Sequence, residues 1–273
     1  MYVFITASNS LYRSSMDYNV LMAKKRGGFD KVLAYDFETM IDTEFRKRND
    51  TILSIKQGAG LWLWKPYFIH KALIEECAEG DILFYLDAAA FFISDVRMIE
   101  KVMDDDIYAT CLPYIEADWT KSEAFDIMDK EVYKNSFQYQ ASFMAFRKSM
   151  RSIMFVEEWL NNCCNPDLIN PAQNIGKQIE TFQNHRMDQS CFSLLCKKYN
   201  VSPHKDPTQF GIWGYPEVRG ARYVGVKMKN EYPIVIVLHR LKDFGLRNKL
   251  RLVKRTMCLI SKNIIKNIRR KRC

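Results

Sequence analysis

Four side chains in this sequence combine a reactive type with a telling position. Asp87 closes the apolar run Ile82 to Leu86 and is followed by three alanines, Ala88 to Ala90. Lys65 lies in the unusual segment Gly58-Ala-Gly60-Leu-Trp62-Leu-Trp64-Lys65-Pro66. Asp188 stands in His185-Arg-Met-Asp188-Gln189-Ser190, and His239 follows the apolar run Ile234 to Leu238. In open α/β sheets, ligands bind outside the carboxyl ends of the strands. A carboxylate at such an end, with bulk stripped from its neighbours, can meet a charged ligand or a metal ion. Taken singly, Asp87 reads equally well as an ordinary turn residue, and His239 better as a satisfied structural histidine.

The elements that must position these residues can be read from periodicity. Tyr2 to Thr6, Lys31 to Tyr35, Ile82 to Leu86, Ile107 to Pro113 and Phe137 to Phe146 read as strands. Arg222 to Val226 and Ile234 to Leu238 add two late ones. Helical spacing predicts helices over Ser15 to Lys25, Tyr67 to Ala78, Asp95 to Met103 with Asp95 as N-cap, Ser122 to Lys130 and Ser149 to Cys163, and one through Asp188 to Leu195. Two glycines before the tryptophans permit close backbone approach, and Pro66 suits the first turn of a helix. Strands alternating with helices predict an α/β fold: a Rossmann-like, mixed but mostly parallel sheet flanked by helices.

The chain has 273 residues, 48% of them hydrophobic, which is ample for one packed domain over residues 1–240. No run approaches the roughly 18 apolar residues of a membrane span. The start, Met-Tyr-Val-Phe-Ile-Thr, reads as a first strand rather than an export signal, so a reducing cytosol is expected. Eight cysteines without a Cys-x-x-Cys pair are expected to be thiols, mostly core filler.

The net charge is +9, but residues 240–273 carry thirteen Lys or Arg and one acid, Asp243. The body is therefore mildly acidic and residues 241–273 form a basic tail. Within it Leu246, Leu250, Val253, Met257, Ile260, Ile264 and Ile268 share one helical face, with basic residues on the others. That is the pattern of a helix lying in a membrane interface, and 246–272 is expected to meet an anionic membrane surface. A nucleic-acid partner is disfavoured, because no aromatic side chain follows Phe244 to stack on bases.

Trp62-x-Trp64-Lys65-Pro66, Gly80-Asp-Ile82 to Tyr85-x-Asp87, Trp119-Thr-Lys121 and Asp188-Gln-Ser190 follow in one order over residues 1–240. That series resembles bacterial glycosyltransferases of the GT-A fold that build capsular polysaccharide or lipopolysaccharide. The resemblance implies a single GT-A-like domain that moves a hexose from a nucleotide-diphosphate sugar, UDP-linked, to a lipid-linked or growing surface saccharide. It also implies a cytoplasmic protein, peripheral on the inner face of the plasma membrane. Carried over residue by residue, it places Thr6, Ser8, Trp64, Lys65, Asp87, Lys121 and Arg240 on the donor. It places His185, Gln189 and Gln140 on the acceptor side and gives Asp188 the catalytic role, as a base or as a group that steadies a positive sugar.

In that family the acid after the strand opens an Asp-x-Asp pair that binds Mn²⁺ or Mg²⁺. Here Asp87 matches the first acid and Ala89 stands in place of the second. Three readings stay open. Asp87 and His239 hold the metal; or Lys65, Lys121 or Arg240 neutralises the phosphates without one; or the protein is a weak or inactive member that scaffolds an assembly. Removal of residues 243–273 is expected to release the protein from vesicles containing anionic lipid in a sedimentation assay; undiminished binding by the truncated chain would rule out the tail as the anchor.

Overall fold

The computed structural model describes residues 1–171, 174–226, 232–254 and 257. Its eight strands are β1 (Tyr2–Ser8), β2 (Lys31–Asp36), β3 (Ile82–Leu86), β4 (Ala90–Phe92), β5 (Ile107–Ile115), β6 (Phe137–Arg147), β7 (Pro203–His204) and β8 (Ile236–Leu238). Six form one sheet in the order β2-β1-β3-β6-β5-β7, and β4 and β8 form a separate antiparallel pair. The pairings β1/β2, β1/β3 and β5/β7 are parallel, whereas β6 runs antiparallel to both β3 and β5. This is the mixed α/β layout expected from the sequence.

The period of two explains the two cores. Val3, Ile5, Leu83, Tyr85 and Ala141 face a layer built by the helices Trp64–Glu75, Met150–Cys163 and Met187–Lys198. Phe4, Ile82, Phe84, Leu86 and Phe143 face the opposite layer, made by Ala23, Val96, Ile99 and the small β4/β8 sheet. All five residues of β3 are buried, so it is a central strand covered on both sides. Cys163, Cys191 and Cys196 are buried free thiols, as core filler should be.

Several boundaries moved for physical reasons. The helix expected from Tyr67 begins at Trp64, so Pro66 falls within the first turn, where its missing N–H costs nothing. The expected helix 95–103 shrinks to the single turn Arg97–Glu100, capped at Val96; the Asp95 carboxylate instead accepts from the Arg97 amide at 2.9 Å. Residues 222–226 form no ladder; only Tyr223 bridges to Tyr114.

Two irregularities prepare the site. Gly58, Ala59, Gly60, Leu61 and Trp62 all have positive φ, between 49° and 94°. Left-handed backbone costs L-residues roughly 1–2 kcal/mol each, so Ala59, Leu61 and Trp62 are held there by their surroundings. The turn is closed by Gly60 N–H to Ile55 O at 2.8 Å and Leu61 N–H to Gln57 O at 2.9 Å. The second irregularity is in β6. Opposite β5 the register jumps from Ala109↔Met144 to Thr110↔Gln140, a bulge over residues 141–143. It removes Ala141 from the β5 ladder, and bulges commonly re-aim groups beside sites.

The chain stays docked past residue 240. Ser15 Oγ donates to Leu241 O at 2.6 Å, and Phe244 packs against Tyr18 and His239 with ring centroids 4.5 and 4.4 Å away. Residues 246–254 are helical, and Leu246, Leu250, Val253 and Met257 are exposed. The rest of the expected amphipathic face, Ile260, Ile264 and Ile268, lies outside the described residues. No helix among the described residues is long and apolar enough to cross a membrane.

A Cβ on Gly60 would sit 2.8 Å from the Leu53 Cα while φ stays at +94°. Gly60→Ala is therefore expected to lower unfolding free energy by about 1–3 kcal/mol in a urea titration; a change within about 0.5 kcal/mol would show that the turn relaxes freely.

Candidate active site

The centre of the site is Lys65, at the start of the helix Trp64–Glu75. Its side chain is only 4% exposed. The ammonium lies 2.8 Å from Asp188 Oδ2 and 3.4 Å from Asp87 Oδ1, and donates to Ala141 O at 2.9 Å. The β6 bulge makes that carbonyl accessible. Three segments distant in sequence thus meet on one cation.

The two carboxylates are not equivalent. Asp87 is 32% exposed and Asp188 only 5%. Asp87 follows β3, where its amide donates to Ser142 O at 2.9 Å and its Oδ1 accepts from Tyr85 Oη–H at 2.7 Å. Burial pushes Asp188 up to about 6, against the downward pull of Lys65. The two acids together raise Lys65 against its own desolvation. Asp188 also follows Met187, whose φ of 42° is strained for a side chain of that size.

Two cavities meet at Asp87. The smaller, about 470 Å³, is walled by Ala7, Ser8 and Asn9 at the end of β1, by Phe37 after β2, and by Gly58, Ala59 and Trp64. The larger, about 620 Å³, is walled by Lys65, Tyr114, Trp119, Gln140, Arg186, Asp188 and Gln189. Trp62, Asp87, Ala89 and Arg240 line both. The left-handed turn is what presents Trp62 at the junction. Volumes of this size suit small ligands or sugar units.

The expected site residues therefore divide. Lys65, Asp87 and Asp188 touch one another, and Ser8, Trp64 and Arg240 line the smaller cavity. Trp64 shows it little surface: it stacks on Phe37 at 4.5 Å and donates its indole N–H to Gly58 O. Gln140 and Gln189 line the larger cavity with amides already engaged, Gln140 Oε1 by Ser142 and Gln189 Nε2 by Gln138.

Two expected residues wall neither cavity, and a third has both ring nitrogens engaged by protein groups. Thr6 is fully buried within β1 and walls neither cavity. Lys121 lines neither cavity, because its ammonium is turned to Asn170 O at 2.8 Å. His185 lines the larger cavity. Its Nδ1 accepts from Lys121 N–H, its Nε2 donates to Leu168 O at 2.9 Å, and burial drops it to about 3. Lys121 and His185 both brace the segment 168–170.

His239 is neutral, lowered by burial to about 4, and its Nδ1 accepts from Leu241 N–H at 3.1 Å. The ring proton then lies on Nε2, which makes the nitrogen left unpartnered in the interior a donor rather than a metal ligand. No cluster of three or more metal-type side chains forms among the described residues. The donor set that would hold Mn²⁺ or Mg²⁺ is thus reduced to Asp87, and these residues do not fit a resident divalent ion.

Sequence reasoning missed Tyr85 and Arg186, and ranked Trp62 below Trp64. Tyr85 was within reach: two residues before Asp87 on a strand, it points to the same side. Arg186 carried no such signal, being one basic residue among 41.

No family model and no curated protein matches the sequence. Among solved structures, mouse xyloside xylosyltransferase 1 in its apo form is similar over 89% of this chain and 99% of its own, at 9% identity and a TM-score of 0.47. The apo glycosyltransferase GlyE of Streptococcus pneumoniae TIGR4 is similar over 98% of this chain, at 11% identity and a TM-score of 0.47; the chain spans 64% of its length.

Removing the Lys65 charge leaves two carboxylates facing each other, one of them buried. Lys65→Met is expected to destabilise the fold at pH 7 by about 3–5 kcal/mol, the usual cost of breaking a buried pair, and to lose less at pH 5, where Asp188 takes a proton. A pH-independent loss in denaturant titrations would refute this electrostatic role.

Proposed function

We propose that this protein transfers a hexosyl group from a nucleoside-diphosphate sugar to a saccharide acceptor. One observation carries the reading: two cavities meet at the single reachable carboxylate after the central strand, and a buried lysine ties that carboxylate to a second one. The smaller cavity, at the ends of β1 and β2, takes the nucleoside; the larger takes the acceptor; the sugar sits between them beside Asp87 and Trp62. The low sequence identity of the similar structures leaves this reading to rest on the site and on the motif series.

The chemistry follows from the charges. Asp188 faces the acceptor cavity with an acidity set near neutrality, which suits a group that accepts the acceptor hydroxyl's proton or steadies positive charge on the sugar. Lys65 holds Asp188 and Asp87 at fixed separation, so both are oriented before substrate arrives. Arg240, at the junction of the cavities, meets the departing diphosphate. No step is routed through Mn²⁺ or Mg²⁺, for which the donor set does not fit. The exposed Leu246, Leu250 and Val253 among basic residues support a peripheral site on an anionic inner membrane face, where a lipid-linked acceptor would be met. Because Phe244 is part of the folded body, truncation after Gly245 tests that anchor more cleanly than removal of 243–273.

The test is donor turnover, measured as release of nucleoside diphosphate across a panel of donors with and without Mn²⁺. Asp87→Asn and Asp188→Asn are expected to lower kcat by about 10²-fold or more. Asp188 is raised in the fold, so its carboxylate forms as pH climbs through about 6. The rate should therefore rise with pH through that value and fall away below it, and this limb should vanish in Asp188→Asn. Turnover of no donor by the wild type under any metal condition would defeat the reading.

A further inference from the structure

The charges of the larger cavity do not balance. Its wall carries three cations, Lys65, Arg186 and Arg240, and two carboxylates, Asp87 and Asp188. Both carboxylates are taken by Lys65. Two nearby acids outside the wall are committed too: Glu116 pairs with Lys197, and Asp118 pairs with Arg222. Arg186 and Arg240 form no ion pair with a carboxylate among the described residues, and they repel each other electrostatically.

Arg186 is nonetheless held firmly. Its guanidinium lies 3.8 Å from the centroid of Trp119 and 5.1 Å from that of Tyr114, and one nitrogen donates to Gln138 Oε1 at 3.0 Å. Gln138 is itself fixed, donating to Glu116 at 3.0 Å. An arginine stacked flat on an aromatic face keeps its remaining N–H donors in one plane, the geometry that matches carboxylate or phosphate oxygens. Burial lowers it to about 10, so it stays charged at neutral pH. A half-buried, aromatic-backed cation without a counter-charge is costly unless an anion completes it.

We infer that Arg186 forms a subsite for an anionic group on the acceptor, a carboxylate or a phosphate, with the nearby charge of Arg240 adding to its field. The placement separates it from the donor: Arg186 lines only the larger cavity, whereas the nucleoside cavity is walled by Ser8, Phe37 and Trp64. The inference deepens the acceptor half of the proposed function, yet as a binding site it stands without turnover. Two sources carry the chemistry, an acidic sugar or the phosphate that joins a sugar to its carrier.

The experiment is titration of the full chain with glucuronate, glucose 1-phosphate, glucose and UDP, by calorimetry or saturation-transfer NMR. At least one charged sugar is expected to bind about tenfold or more tighter than glucose, with affinity falling as salt rises. Glucuronate preference identifies an acidic sugar, and glucose 1-phosphate preference the carrier phosphate. Arg186→Gln is expected to erase the preference with UDP binding unchanged, and Arg186→Lys to recover part of it. Arg240→Gln, at an exposed position lining both cavities, is expected to weaken the charged-sugar preference and UDP binding together, and the loss of preference covers the case in which Arg186→Gln misfolds. Equal binding of glucose and the charged sugars overturns the inference, and so does a loss of UDP binding in Arg186→Gln with the sugar preference intact. Charged-sugar binding without turnover of any donor would defeat the transferase reading while leaving the subsite standing.

Discussion

A lysine ammonium that is 4% exposed must have its charge met inside the protein, and Lys65 has it met by two carboxylates from distant segments of the sequence. Desolvating one cation and one buried acid costs several kcal/mol per ion, recovered only where geometry is good and the remaining hydrogen bonds are made. Most of them are made here: Lys65 donates to Ala141 O and Tyr85 Oη–H to Asp87, while Asp188 Oδ2 relies on its ion pair with Lys65. The rest of the site depends on this arrangement, because it fixes where the helix Trp64–Glu75, the end of β3 and the helix Met187–Lys198 stand relative to one another.

That constraint also accounts for the strained backbone around it. For Lys65 to enter the interior, the chain must turn from Gly58 into the helix within a few residues, and it does so through a left-handed turn. Two of the five residues are glycines, and the other three are held by closing hydrogen bonds and by packing of Trp62 on Gly58. The bulge in β6 serves the same end, releasing Ala141 from the ladder with β5 so that its carbonyl can meet the ammonium. Met187, left-handed just before Asp188, completes the set. Strain of this kind persists where the surroundings over-determine the conformation, and it gathers at functional sites.

Electrostatics divides the site into two roles. Around Lys65 the charges are paired and rigid, which suits orientation. Around Arg186 and Arg240 they are positive and without a carboxylate partner among the described residues, which suits capture of an anion. The basic helix at 246–254 carries the same sign, with Leu252 reaching the wall of the larger cavity. A surface of one sign leading into a cavity of the same sign concentrates anionic substrates at the entrance.

The sequence determined the α/β class and the strand Ile82–Leu86 to the residue, and it marked Lys65, Asp87 and Asp188, which the fold brings together, because hydrophobic period and strand-end position are local properties of the chain. Boundaries at Trp64 and Arg97 were less legible, since caps and packing decide them. Only the tertiary structure decided which way side chains turn once long-range neighbours arrive. Lys121 and His185 lie in or beside the motif series but turn to the carbonyls of Asn170 and Leu168, because buried donors must find an acceptor. Arg186 had no pattern to mark it, since a charge without a carboxylate partner among the described residues is defined by what surrounds it; Trp62 stood in the Trp-x-Trp-Lys-Pro series, but the left-handed turn is what brings it to the junction of the cavities. The metal question turned on the same point: Ala89 could be read from the sequence, but that His239 offers a proton rather than a lone pair follows from the Leu241 amide folding back on it.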